Sequence, residues 1–212
     1  MVIKGGKQYY GEAIGIALFD GRRYPILPGD IQKIIDAVKS LEDDGVRAVV
    51  TACGFFSVVQ EILADAVHIP VFTSPLMMVP QIVRMIRSDR SVCIITASER
   101  LLVSDYLTAV GIELDMPVHI VGMEASTEFY ATHMGGTQTT LDVDLQTREL
   151  VEIARNAVIQ FPDIGALLLE CSQLPTFAAD IQDVVNLPVF DYIGFIDMIY
   201  CSVVQRRYTG IL

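Results

Sequence analysis

The chain has 212 residues, 52% of them apolar, and 26 acidic against 15 basic side chains give it a formal charge of −11. That length can bury a core of its own, and the charge argues against nucleic acid or an anionic membrane surface as partner. A mean hydropathy of +0.46 is high, yet Glu61, Asp65 and Arg84 interrupt the apolar runs before any reaches the roughly 18 residues of a membrane span. Parallel strands apolar on both faces account for the excess.

Met1 leads into Lys4, Gly5, Gly6 and Lys7 with no apolar segment and cleavage site of a secretory signal. The expectation is a cytoplasmic protein whose four cysteines are mostly reduced. Residues 13–19 read as the first strand. Pro28-Gly29-Asp30 then opens a helix with Ile31, Ile34, Ile35, Val38 and Leu41 on one stripe, stopped near Gly45. A strand over 46–51, a helix over about 55–67, a short strand over 69–72 and a helix over about 75–87 follow. The pattern restarts with a strand over 92–96. Ser98 is read as the N-cap of a helix bearing Leu101, Leu102, Tyr106, Leu107 and Val110, ended by Gly111.

A strand over 118–121 leads into weakly periodic residues 123–143, an excursion long enough to serve as a lid or a wall of a site. A helix over about 144–160, a strand over 166–170, a helix to about 185, a strand over 187–190 and a final helix complete the chain. Strands alternating with helices predict an α/β architecture with mostly parallel strands.

His68, His119, His133 and the four cysteines show no CxxC or HxxxH spacing, so zinc has little support. No GxGxxG or GxxxxGK[ST] occurs, which leaves dinucleotide and P-loop readings without a motif. The strongest pattern is a repeat. Shifting by 171 − 53 = 118 superimposes Cys53 on Cys171, Ala48 on Ala166, Asp65 on Asp183, Val67 on Val185 and Pro70-Val71-Phe72 on Pro188-Val189-Phe190. These are seven identities in a gapless window of 25 residues. Each half therefore carries a thiol where a strand meets the following helix, the end of a parallel strand at which ligands collect.

Helix-opening N–H groups lower a thiol pKa and bind carboxylates. The amides of Gly54–Phe56 and Ser172–Gln173 are the candidate donors, and Ser57, Thr96 and Ser98 are candidate hydroxyl contacts. Cys93, in mid-strand, and Cys201, placed on the apolar face of the last helix, are read as buried packing residues. Asp20 either orients Cys53 or caps its loop. Arg22 and Arg23 can meet a substrate carboxylate or remain solvated. Glu170 is expected to point away from Cys171 by strand alternation and to make a structural hydrogen bond or ion pair. His133 is expected at the surface.

Thr51-Ala52-Cys53-Gly54 and Leu169-Glu170-Cys171-Ser172-Gln173-Leu174-Pro175, with their repeat spacing and Phe190-Asp191, resemble the aspartate/glutamate racemase superfamily. That group includes cofactor-independent amino-acid racemases, hydantoin racemases, arylmalonate decarboxylases and maleate isomerases. The resemblance covers nearly the whole chain. It implies two pseudo-symmetric lobes, each a mostly parallel sheet flanked by helices, with the active site in the cleft between them. Residues 1–90 with about 191–212 would form the first lobe and residues 91–190 the second.

It also implies that Cys53 and Cys171 act as an acid/base pair on a carbon alpha to a carboxylate or carbonyl, without metal or pyridoxal cofactor. The substrate would be a small organic anion held by Gly54, Phe55, Phe56, Thr96, Ser98, Ser172, Gln173, Asp20 and Arg23, and the protein would pair into a homodimer. The chain departs from the family where substrate is held. Gly54-Phe55 stands in place of Asn-Thr after the first cysteine, and Ser172-Gln173 in place of Thr-His after the second. Decarboxylation, cis–trans isomerisation and a non-catalytic small-molecule-binding role are the alternative expectations.

Overall fold

The computed structural model describes residues 2–4, 7–10, 14–17, 28–51 and 53–210, with side chains from residue 31 onward. After three leading strands, strands and helices mostly alternate along the described residues. They are β1 (Val2–Lys4), β2 (Lys7–Tyr10), β3 (Ile14–Ala17), α1 (Pro28–Asp43), β4 (Ala48–Thr51), α2 (Gln60–Asp65), β5 (Val71–Phe72), α3 (Val79–Met85) and β6 (Ser91–Thr96). Then come α4 (Ser104–Thr108), β7 (Val118–Gly122), α5 (Thr127–Phe129), α6 (Val143–Gln160), β8 (Ile164–Leu169), α7 (Ala178–Val185), β9 (Val189–Phe190) and α8 (Tyr192–Val203). The chain divides into two compact units, one of Met1–Ser74 with Ile193–Leu212 and one of Pro75–Tyr192.

The first unit holds a five-stranded sheet in the order β1-β2-β3-β4-β5. Its β3, β4 and β5 are parallel, while β1, β2 and β3 pair antiparallel. The antiparallel edge is absent from the sequence reading. Its strands are three and four residues long, and only Gly5-Gly6 separates them, a connection that permits an antiparallel ribbon and no crossover.

Ile34, Val38 and Leu41 of α1 pack on Val49, Phe56, Leu63 and Val71, the stripe the helical spacing predicts. All four residues of β4 are buried, as expected of a strand covered on both faces. From α8, Phe195 meets Phe72 edge-on with ring centroids 6.0 Å apart, and Arg47 donates to the Val203 carbonyl at 3.0 Å. Gly45 ends the first helix region at φ +83°, with nothing within 4 Å of where a Cβ would stand. Gly45→Ala should therefore lose about 1 kcal/mol through backbone strain alone. An unchanged denaturation midpoint would show that the left-handed turn is not required.

The second unit holds an all-parallel sheet in the order β7-β6-β8-β9. Every residue of β6 is buried. Cys93, Ile95, Leu167 and Leu169 of its strands pack with Leu150, Ala154 and Ala157 of α6 and Ile181 of α7. The expected helix from Ser98 is shorter than its apolar pattern suggests: only Ser104–Thr108 is α-helical. Ser98 does not cap it, because its hydroxyl donates instead to the Glu124 carboxylate at 2.7 Å.

Residues 123–142 form a knitted structure. Glu149 of α6 accepts from the backbone N–H and hydroxyl of Thr127, at 3.2 and 2.6 Å, and from Glu128 N–H at 3.1 Å. Buried Glu128 in turn accepts from Gln138 at 2.8 Å and from Asp142 N–H at 2.7 Å. His133 is exposed there, as its surroundings in the sequence suggest. Among the described residues no helix is long and apolar enough to cross a membrane.

Candidate active site

The 118-residue shift recurs in the structure element by element. β5 and β9 occupy equivalent residues. After each cysteine comes a 3-10 turn, Gly54–Val59 in the first unit and Pro175–Phe177 in the second, and α2 and α7 begin at equivalent positions. The register follows the same rule: Val49 pairs with Val71 and Val50 with Phe72, as Leu167 pairs with Val189 and Leu168 with Phe190. Individual hydrogen bonds repeat as well. Val49 N–H donates to Pro70 O and Leu167 N–H to Pro188 O, both at 2.9 Å.

Each cysteine follows the carboxyl end of a parallel strand. The Cys53 carbonyl accepts from Phe56 N–H at 3.1 Å, and the Cys171 carbonyl accepts from Leu174 N–H at 3.0 Å. These bonds close the first turn after each cysteine, so the two share one backbone hydrogen-bond pattern. Both are half-buried. That combination suits acid/base work, since a thiol must be reached by substrate and held still. Cys93 differs: burial in mid-strand pushes its thiol up to about 12 and keeps it neutral.

Of the residues read as substrate-binding, Gly54, Phe55 and Phe56 are buried at the start of the turn after Cys53. Phe56 packs into the first unit's core, and its N–H is the donor to Cys53 O, so that amide already serves the turn. Ser172 is half-buried and Gln173 exposed after Cys171. Ser98 is buried and tied to Glu124. Thr96 is fully buried at the end of β6 and donates to Glu170 Oε2 at 2.8 Å, the structural hydrogen bond expected of Glu170. Asp20, Arg22 and Arg23 lie outside the described residues. Cys201 is a correction: it is exposed on α8. That helix is apolar on both sides, with Ile193 and Met198 also exposed, so its composition does not single out the buried face.

Sequence reasoning passed over a polar network around Cys53. The Thr51 hydroxyl donates to the Cys53 carbonyl at 3.3 Å and to the Thr73 carbonyl. The Gln60 side chain accepts from Thr73 N–H at 3.0 Å and from the Thr73 hydroxyl at 2.7 Å, while donating to Val71 O at 2.8 Å. Thr51 and Thr73 are buried, so these bonds fix the carboxyl ends of β4 and β5 and the Cys53 backbone that follows. The available signal was that two apolar strands each run into a threonine, Thr51 ending β4 and Thr73 directly following β5. Among the described residues no group of three or more His, Cys, Asp or Glu is placed to hold a metal ion.

A dimethylsulfoniopropionate lyase of Durusdinium sp. clade D is 29% identical over 202 residues, which are 89% of this chain and 66% of that protein. Dimethylsulfoniopropionate lyase 3 of Emiliania huxleyi (strain CCMP1516) is 29% identical over 194 residues, 87% of this chain and 50% of that protein. The chain thus spans a half to two-thirds of the length of these curated relatives. Among solved structures, a glutamate racemase isoform from Bacillus anthracis superimposes with a TM-score of 0.59 at 16% identity, covering 88% of this chain and 71% of that one. This likeness carries the fold: α/β, with parallel sheets flanked by helices. The family model described as Asp/Glu/Hydantoin racemase matches residues 24–194, which include both cysteines and both copies of the repeat, and the chain belongs to that family.

Proposed function

We propose that the protein removes a proton from the carbon alpha to a carboxylate of a small organic acid, with Cys53 and Cys171 as the acid/base pair. The carrying observation is the shared backbone setting of the two cysteines, each beyond a parallel strand with its carbonyl bonded to the third N–H after it. In this reading one cysteine, as thiolate, takes the α-proton. The negative charge spreads onto the carboxylate, and N–H and hydroxyl donors beside the thiols stabilise it. The other thiol delivers a proton to the opposite face, and the product is the inverted carbon. The first reading is therefore a cofactor-independent racemase or epimerase.

A second reading shares the proton-removal step and differs in the fate of the carbanion. Two relatives at 29% identity are dimethylsulfoniopropionate lyases. Gly54 and Phe55 also stand where resembling amino-acid racemases carry Asn-Thr, which suits a substrate with no α-amino group. If the β-carbon bears a sulfonium, the electron pair left by the α-proton forms the Cα–Cβ double bond. The Cβ–S bond breaks with its pair going to sulfur, a neutral sulfide departs, and an unsaturated acid remains.

One set of incubations in deuterated water separates the readings. Single-deuterium wash-in with loss of optical purity in chiral 2-substituted acids supports inversion. Dimethyl sulfide and acrylate from dimethylsulfoniopropionate support elimination. Neither exchange, inversion nor elimination across amino acids, hydantoins, 2-substituted acids and the sulfonium acid would overturn the proposal.

A further inference from the structure

The two halves differ beside their thiols. Glu170 directly precedes Cys171, and the 118-residue shift places Ala52 at the equivalent point before Cys53. Thr96 has an equivalent too. Val92 pairs with Ala166 as Ile14 pairs with Ala48, so β6 matches β3 with a shift of 92 − 14 = 78, and Thr96 corresponds to Leu18. Where the sequence of the second half has a carboxyl and a hydroxyl, that of the first has alanine and leucine. The fold itself therefore does not demand the polar pair.

The pair is deeply buried. Glu170 and Thr96 are each 0% exposed. Glu170 N–H extends the ladder to Ile95 O at 2.9 Å, and Glu170 Oε2 accepts from Thr96 at 2.8 Å. Among the described residues Glu170 Oε1 has no hydrogen-bond partner. An apolar pair would close this sheet edge without burying polar atoms.

We infer that Glu170 is a positioning residue for Cys171: its carboxyl, tied to Thr96 across β6 and β8, fixes the point at which the chain leaves the sheet and presents the thiol. This rests on the reading of Cys171 as an acid/base group. Burial raises the Glu170 carboxyl to about 7, against the opposing pull of the Thr96 hydrogen bond. A large neutral fraction near pH 7 limits the anionic charge beside a forming thiolate, which a carboxylate would disfavour. A glutamine, neutral and of the same shape, should reproduce the effect.

The test needs no substrate. The full chain is alkylated with iodoacetamide at pH 7, and the rates at Cys171 and Cys53 are read separately by peptide mass spectrometry, with Cys53 as internal reference. Glu170→Ala should lower the Cys171-to-Cys53 rate ratio roughly tenfold, the scale of one lost buried hydrogen bond, and Glu170→Gln should restore it. Thr96→Val, which removes the donor and keeps the shape, carries the same expectation should Glu170→Ala fail to fold. An unchanged ratio in Glu170→Ala or Thr96→Val would overturn the inference. Equal losses in the Ala and Gln variants would overturn it too, because the ionised carboxylate would then be the required group. Failure of the acid/base reading shows elsewhere, as unimpaired turnover when Cys171 itself is replaced.

Discussion

Cys53→Ala and Cys171→Ala are each expected to cut turnover by about 10²–10⁴-fold, the usual contribution of one positioned acid or base, if the protein inverts its substrate. Inversion takes a proton from one face and returns one to the other, so neither thiol is dispensable. The pattern changes for elimination. A neutral sulfide leaves without a proton, so the step needs one base, and one of the two variants should retain most of its activity. Cys→Ser belongs beside each, because a hydroxyl nearly fills the space and is far too weak an acid to ionise at neutral pH. Cys201→Ala is the control: that thiol is exposed on α8 and belongs to neither repeat. Substrate turnover and deuterium incorporation, measured on matched folded samples, decide the case. Full turnover in both single alanine variants would end the two-thiol proposal.

The sequence made this experiment specifiable because the repeat is a property of local order. Pro70-Val71-Phe72 and Pro188-Val189-Phe190 mark short edge strands by composition, and their partners Val49-Val50 and Leu167-Leu168 are apolar runs that only a doubly covered strand explains. What escaped was non-local. The Thr51–Thr73–Gln60 network joins residues up to 22 apart, and Thr96 meets Glu170 across 74 residues. No spacing rule finds such pairs. The apolar periodicity after Ser98 also outran its helix, since residues 98–103 are held by turns and by the bond from Ser98 to Glu124. Strand alternation did give the right character for Glu170, a structural hydrogen bond. It could not give the partner; the contrast with Ala52 is already present in the 118-residue shift.

That contrast predicts a stability effect of unusual sign. Burial raises the Glu170 carboxyl from its ordinary 4.5 to about 7, so the folded chain keeps this proton where the unfolded chain has released it. Below pH 4.5 both states hold the proton and the residue adds no pH dependence. As pH rises from there to 7 the unfolded state gains, and above 7 the loss levels off at roughly 3 kcal/mol. Glu170→Gln cannot titrate and should escape the penalty. Its stability relative to the parent should rise by roughly 3 kcal/mol between pH 4 and pH 8, read from urea denaturation at both values. Taking the difference between the two pH values cancels any fixed cost of the amide in the pocket. An identical offset at pH 4 and pH 8 would mean that Glu170 ionises as readily folded as unfolded, and the neutral carboxyl beside Cys171 would be ruled out. A gain confined to high pH would locate a stability cost one residue from the thiol, at a position where the sequence of the other half has alanine. Such a cost is accounted for by use of the group at the site and not by the needs of the sheet.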